Sequence, residues 1–209
     1  MNATQQLDFY CERLGSGMWA EPLNVLSNLA FLLAAYLLFR RHGRDVSLWA
    51  GLIALVGLGS IAFHLFATVW AHWLDLLFIE VFIYSFIAVY LRRAFHFNWT
   101  KTILGLAAYL LFEWALTNAF EPGAWNGSYR YLPALILLVA MTLSAQWLLP
   151  SMLRPLVMSV IVFAVALLLR SVDMIFCGPW PWGTHFIWHM LNAAVLYYAA
   201  LALRRRALN

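Results

Sequence analysis

Long apolar stretches separated by short polar clusters run through most of the chain. Their lengths match the ~20 residues an α-helix needs to cross the hydrocarbon of a bilayer. The pattern predicts helices over 21–41, 46–69, 72–92, 101–119, 131–149, 153–171 and 183–203. The breaks are RRHGRD, VWAH, RRAFHFNWTK, FEPGAWNGSYR, PSMLRP and the Pro/Gly/Trp-rich DMIFCGPWPWG, most of them supplying charge or helix-interrupting residues. The expectation is an all-α, seven-transmembrane-helix bundle forming one domain over 1–209. A segment over 1–20 precedes the first helix and a short tail over 204–209 follows the last. No repeat or low-complexity tract divides the chain.

Composition excludes a soluble globule: 65% of the 209 residues are hydrophobic and 11% charged, against about 25% charged in an ordinary soluble domain. The net charge of +4 is spread between long uncharged runs, which excludes a nucleic-acid face. It reports orientation instead. Arg40, Arg41, Arg44, Arg92, Arg93, Lys101, Arg154, Arg204, Arg205 and Arg206 share one set of alternate ends, and Arg13, Arg130 and Arg170 the other. The positive-inside rule then puts the N-terminus outside and the C-terminus in the cytoplasm. Trp19, Trp70, Trp73, Trp125, Trp180 and Trp182 in the outer loops suit an aromatic belt. The opening MNATQQLDFYCERLGSG lacks a basic segment followed by an apolar run, so no cleavable signal is expected.

Polar residues inside spans are costly and are candidates for function. Ser60 and His64 stand at i, i+4 near the outer end of the second helix; His185 and His189 repeat that spacing in the seventh, with Asn192 one turn deeper. Asp75 begins the third helix, across a short turn from His64. Imidazole is a good zinc ligand, and three protein ligands with a fourth position open describe catalytic zinc. His64, His185 and His189 are the candidate set, with His72 competing for the place of His64. The alternative is three hydrogen-bonded core histidines. Asp75 is then a base or orienting group, or a helix-start charge; Ser60 is a site hydroxyl, or a packing residue of the GLGS stretch. In the first helix Glu21, Asn24 and Asn28 form a polar stripe with Ser27 alongside. Asp8 and Glu12 could join Glu21 in offering hard oxygens to Ca²⁺, or belong to a solvated tail and a helix start.

The segments YCER…WAEPLNVLSNLAF, GSIAFH with Asp75 fifteen residues after Ser60, and GTHFIWHMLNA together resemble the alkaline ceramidase family of seven-helix membrane hydrolases and its bacterial relatives. The ordered set Ser-x-x-x-His, Asp, His-x-x-x-His is shared in looser form with the progesterone and adiponectin receptor superfamily. The resemblance covers essentially the whole chain. It implies a bacterial inner-membrane protein that takes its lipid substrate from the bilayer and hydrolyses the amide of an N-acyl sphingoid lipid to fatty acid and sphingoid base. It further implies that His64, His185 and His189 hold Zn²⁺, that Asp75 activates the attacking water and that Ser60 stabilises the oxyanion. Calcium is implied near the N-terminus, with Glu12 and Glu21 matching the family positions and Asp8 matching after a one-residue shift. A bridge between Cys11 and Cys177 is implied as well, both residues lying on the outer side where disulfides persist. A zinc-containing receptor or a transporter are the other readings, and the sequence sets no oligomeric state.

Overall fold

The computed structural model describes residues 2–204, so the Arg205 and Arg206 of the expected tail lie outside the described residues. The first predicted helix is broken at Asn28 into α1 (Pro22–Ser27) and α2 (Leu29–His42). Then come α3 (Ser47–Phe66), α4 (Val69–Ala94), α5 (Trp99–Thr117), α6 (Leu132–Leu148), α7 (Pro150–Ser171), the single turn α8 (Asp173–Phe176) and α9 (His185–Ala202). Each predicted helix is present with ends shifted by a few residues. Two breaks move. VWAH belongs to α4, and the chain reverses one step earlier at Ala67, whose left-handed φ of 44° ends α3. PSMLRP joins α7: Pro150 opens the helix, where a missing N–H costs nothing, and Pro155 is absorbed just after the first turn.

Among the described residues, four segments are long and apolar enough to cross a membrane: Pro22–Phe66, Val69–Ala94, Ala124–Leu148 and Pro150–Ser171. Leu33, Leu104, Leu111, Trp147, Ile161 and Leu168 are all exposed, so the outward surface is apolar. That is the inverse of a soluble helix bundle and fits a lipid surround. α9 carries His185, His189 and Asn192 and is not among the four. It packs instead on α1, α2, α3 and α7, while α4 packs on α3, α5 and α6, which leaves α5 at the periphery. The helices thus close around a cavity bounded by α2, α3, α4, α6, α7 and α9.

The N-terminal segment is a strap across one end of this bundle rather than a solvated tail. Leu7 N donates to Ala67 O at 2.7 Å and Val69 N to Gln5 O at 3.1 Å, pairing it with the α3–α4 turn. Cys11 and Cys177 form a disulfide, with Cα atoms 5.3 Å apart. The strap covers the end of the bundle to which α3 delivers His64 and at which α4 and α9 begin.

Candidate active site

Close backbone packing sets the site. A Cβ on Gly57 would lie 2.7 Å from Phe31 Cβ of α2, and one on Gly59 would lie 2.8 Å from Phe78 and 3.2 Å from Asp75 Cα of α4. The GLGS stretch therefore does bring helices together, and in doing so sets Ser60 beside the start of α4. On the other side, Asp173 fixes the start of α9. Its Oδ1 accepts from Thr184 N at 2.6 Å and His185 N at 2.9 Å, and its Oδ2 accepts from Cys11 N at 3.1 Å. A buried anion at this helix start satisfies otherwise orphaned N–H groups and suits the helix dipole.

His64, His185 and His189 are buried, and each offers one ring nitrogen such that the three lie within 4.8 Å of one another. Their contacts accommodate the tautomer that carries both protons on Nδ1. His64 Nδ1 donates to Glu21 Oε2 at 2.5 Å. With the Ser27 hydroxyl hydrogen on Asn24 O at 3.0 Å, Ser27 Oγ accepts from His189 Nδ1 at 2.8 Å, a nitrogen that Asn28 Nδ2 also approaches at 3.4 Å. Both Nε2 atoms are then bare lone pairs, and they face each other at 3.1 Å. Two such lone pairs call for a cation between them. Tetrahedral zinc, with Zn–N distances of about 2.0–2.1 Å, sets its nitrogens roughly 3.3 Å apart, so zinc fits the donor set. His185 stacks on Tyr10 at 3.6 Å between ring centroids, and its Nδ1 is buried with no hydrogen-bond partner among the described residues. His72 stands apart, its ring 5.1 Å from that of Phe63 and 5.5 Å from that of Phe9.

Ser60, Asp75, His185, His189 and Asn192 line one cavity, which continues past Ile83, Phe86, Met141 and Ala199 as an apolar channel. Asp75 Oδ1, His185 Nδ1 and Asn192 Nδ2 in its wall are buried and lack partners among the described residues. Leaving such a group unsatisfied costs about 1–3 kcal/mol. Ser60 Oγ also has no partner among the described residues, whereas Thr117, Thr142 and Ser171 each donate to the carbonyl four residues back. The polar end of the cavity is therefore an open set of acids, bases and donors, and its floor is apolar.

The carboxylates proposed for calcium behave differently. Glu12 accepts from Leu23 N at 2.6 Å through Oε1 and from Asn24 N at 2.8 Å through Oε2. Glu21 Oε1 pairs with Arg13 Nε, and its Oε2 accepts from His64 and, at 2.9 Å, from Asn24 Nδ2. Asp8 is exposed. Calcium takes six to eight oxygens; each carboxylate oxygen of Glu12 and Glu21 already accepts from an N–H donor and the Arg13 guanidinium sits on Glu21 Oε1, which leaves Asn24 Oδ1 and Asn28 Oδ1 as the buried oxygens without a partner among the described residues. The donor set does not fit calcium. Burial raises the Glu12 carboxyl above its ordinary value, against the opposing pull of the Asn24 and Leu23 N–H groups.

Sequence reasoning passed over Tyr10, Arg13, Arg170 and Asp173 as site residues. Arg170 Nη1 donates to Asn126 O at 2.6 Å and Ser128 Oγ at 3.1 Å, and Nη2 reaches the Tyr10 hydroxyl at 3.5 Å. This holds the ring that backs His185; burial raises the Tyr10 phenol above its usual range, with Arg170 opposing. The available signal was rarity, because a charge is worth questioning where 11% of residues are charged. A search of curated proteins returns no match. The family model described as Ceramidase matches residues 2–207, nearly the full length and every segment that builds this cavity, and the chain accordingly belongs to the Ceramidase family of amide hydrolases.

Proposed function

We propose that the protein is a zinc-dependent intramembrane amidase acting on N-acyl sphingoid lipids, with seven spans, its N-terminus outside and the site in the outer leaflet of a bacterial inner membrane. The family membership supports the amide hydrolysis. The observation that supports the substrate class is the cavity, in which Asp75 Oδ1, His185 Nδ1 and Asn192 Nδ2, without partners among the described residues, stand at one end of an apolar channel. A substrate with an amide headgroup and an alkyl chain satisfies both ends.

His64, His185 and His189 are the residues that would hold zinc. When bound, the metal supplies a Lewis acid for the amide carbonyl and lowers the pKa of water from 15.7 toward ~7. The chain's own residues supply the rest. Asp75 takes the proton of the attacking water and returns it to the leaving nitrogen, so that the C–N bond breaks to a free carboxylic acid and an amine. Ser60 donates its hydroxyl hydrogen to the oxygen that gains charge. Glu21 and Ser27 keep the hydrogens of His64 and His189 on Nδ1, directing both Nε2 atoms inward.

The test is metal analysis of the purified protein together with mass spectrometry of a ceramide incubated with it. One zinc per chain and release of fatty acid and sphingoid base are expected. A metal-free protein with full turnover, or a zinc-loaded protein that releases neither product, overturns the reading; the second outcome would favour a receptor.

A further inference from the structure

Arg13 lies in the strap, is 6% exposed, and has all three guanidinium nitrogens engaged. Nε pairs with Glu21 Oε1, Nη1 donates to Gly15 O at 2.9 Å, and Nη2 donates to His64 O at 3.2 Å. A carboxylate and two backbone carbonyls are the oxygens a bound Ca²⁺ would collect. Here they converge on a charge belonging to the chain itself. The remaining oxygen of Glu21 fixes the Nδ1 hydrogen of His64, and Glu12 is spent on the N–H groups of Leu23 and Asn24.

We infer that Arg13 takes the place of calcium as a built-in cation that locks the N-terminal strap to α1 and α3 and orients His64. The connection runs from Arg13 through Glu21 to His64, so Arg13 is a positioning residue. Its planar fork suits this better than an ammonium would, since Nε and both Nη atoms point to three different oxygens at fixed angles. Removing it leaves Glu21 Oε1 buried without its countercharge and frees the carboxylate to swing from His64. Partners of this kind, which orient ligating histidines, typically change metal affinity 10–100-fold.

The inference rests on the assignment of His64 to a zinc site, but its test does not require turnover. Full-length protein in detergent is measured for calcium binding by titration calorimetry, for melting temperature in EGTA and in millimolar CaCl2, and for zinc affinity by competition with a chelator. The wild-type chain should bind no calcium and melt at the same temperature in both buffers. Arg13→Ala should lose zinc affinity 10–100-fold, and Arg13→Lys, which restores charge without the fork, should recover part of it. If Arg13→Ala fails to fold, Arg13→Lys and the wild-type calcium measurements still decide. Saturable calcium binding or a calcium-dependent rise in melting temperature in the wild type overturns the inference, as does a folded Arg13→Ala with unchanged zinc affinity. A wild-type chain that binds zinc in this manner yet cleaves no ceramide would sink the proposed function and leave the role of Arg13 standing.

Discussion

Asp75 Oδ1 and Ser60 Oγ have no hydrogen-bond partner among the described residues, unlike the hydroxyls of Thr117, Thr142 and Ser171. That distinction gives opposite forecasts for their replacement. Asp75→Asn keeps size and removes basicity, so hydrolysis should fall ~10²–10⁴-fold with zinc retained. Ser60→Ala should cost on the order of 10²–10³ in rate, whereas a packing role would leave the rate untouched, Ala fitting wherever Ser fits. Assaying both variants with zinc content and melting temperature on one preparation separates these cases, and full activity in both would remove the mechanism. His185→Ala, by contrast, should lose the metal and the activity together; stoichiometric zinc in that variant would reopen the choice of ligands and bring His72 forward. The three histidines were legible in sequence because i, i+4 spacing fixes a helix face and apolar run lengths fix depth. The Arg13–Glu21–His64 connection was not. It joins a non-helical strap to two helices, and no periodicity relates those segments.

At the scale of elements, helix positions followed from apolar length, and the errors have physical causes. A proline in the first turn looks like a break in the letters but is tolerated where no N–H is owed, as at Pro150. The turn between α3 and α4 carries neither glycine nor proline at its left-handed residue, Ala67, so no signal marked it. The loop before α9 is held more tightly than its Pro/Gly/Trp content suggests. Gly43 and Gly183 share nearly the same φ, +62° and +61°, but a Cβ at Gly43 meets nothing within 4 Å while one at Gly183 would lie 2.2 Å from Asp173 Oδ1 and 2.7 Å from Cys11 Cβ. Gly43, with ψ -140°, lies outside the left-handed helical region in backbone space nearly reserved for Gly, so Gly43→Ala should cost about 1–3 kcal/mol of backbone strain. Gly183→Ala should cost that strain plus about 1–3 kcal/mol of overpacking. Because Asp173 also fixes the start of α9, Gly183→Ala should further weaken zinc binding, which Gly43→Ala should not. Melting temperature and zinc competition on the pair check this, and equal behaviour of the two would show that the Asp173 junction is soft.

For the whole molecule, two asymmetries organise function: basic residues gather at one end, the site at the other. A reporter fused after Asn209 should read as cytoplasmic under the positive-inside rule; an extracytoplasmic signal would move the site to the inner leaflet. The second asymmetry is within the cavity, polar beside His189 and apolar beside Ala199. Ten residues of α9 separate the two, about 15 Å at 1.5 Å per residue, so the channel runs far into the bundle. Ala199 is 4% exposed and lines this deep end. Ala199→Phe would fill the far end while leaving Ser60, Asp75 and the histidines as they are. If the channel receives one hydrocarbon chain of the substrate, that variant should keep zinc and turn over short-chain substrates normally, while its kcat/KM for long-chain substrates falls about tenfold or more. Each methylene denied burial is worth ~0.8 kcal/mol, so two lost carbons suffice for that factor. Comparing N-acyl chains with the sphingoid chain held constant, and then the reverse, identifies which chain enters. A uniform loss across all lengths would mean that the variant disturbs packing, and no loss at any length would mean that both chains lie outside the bundle in the surrounding lipid.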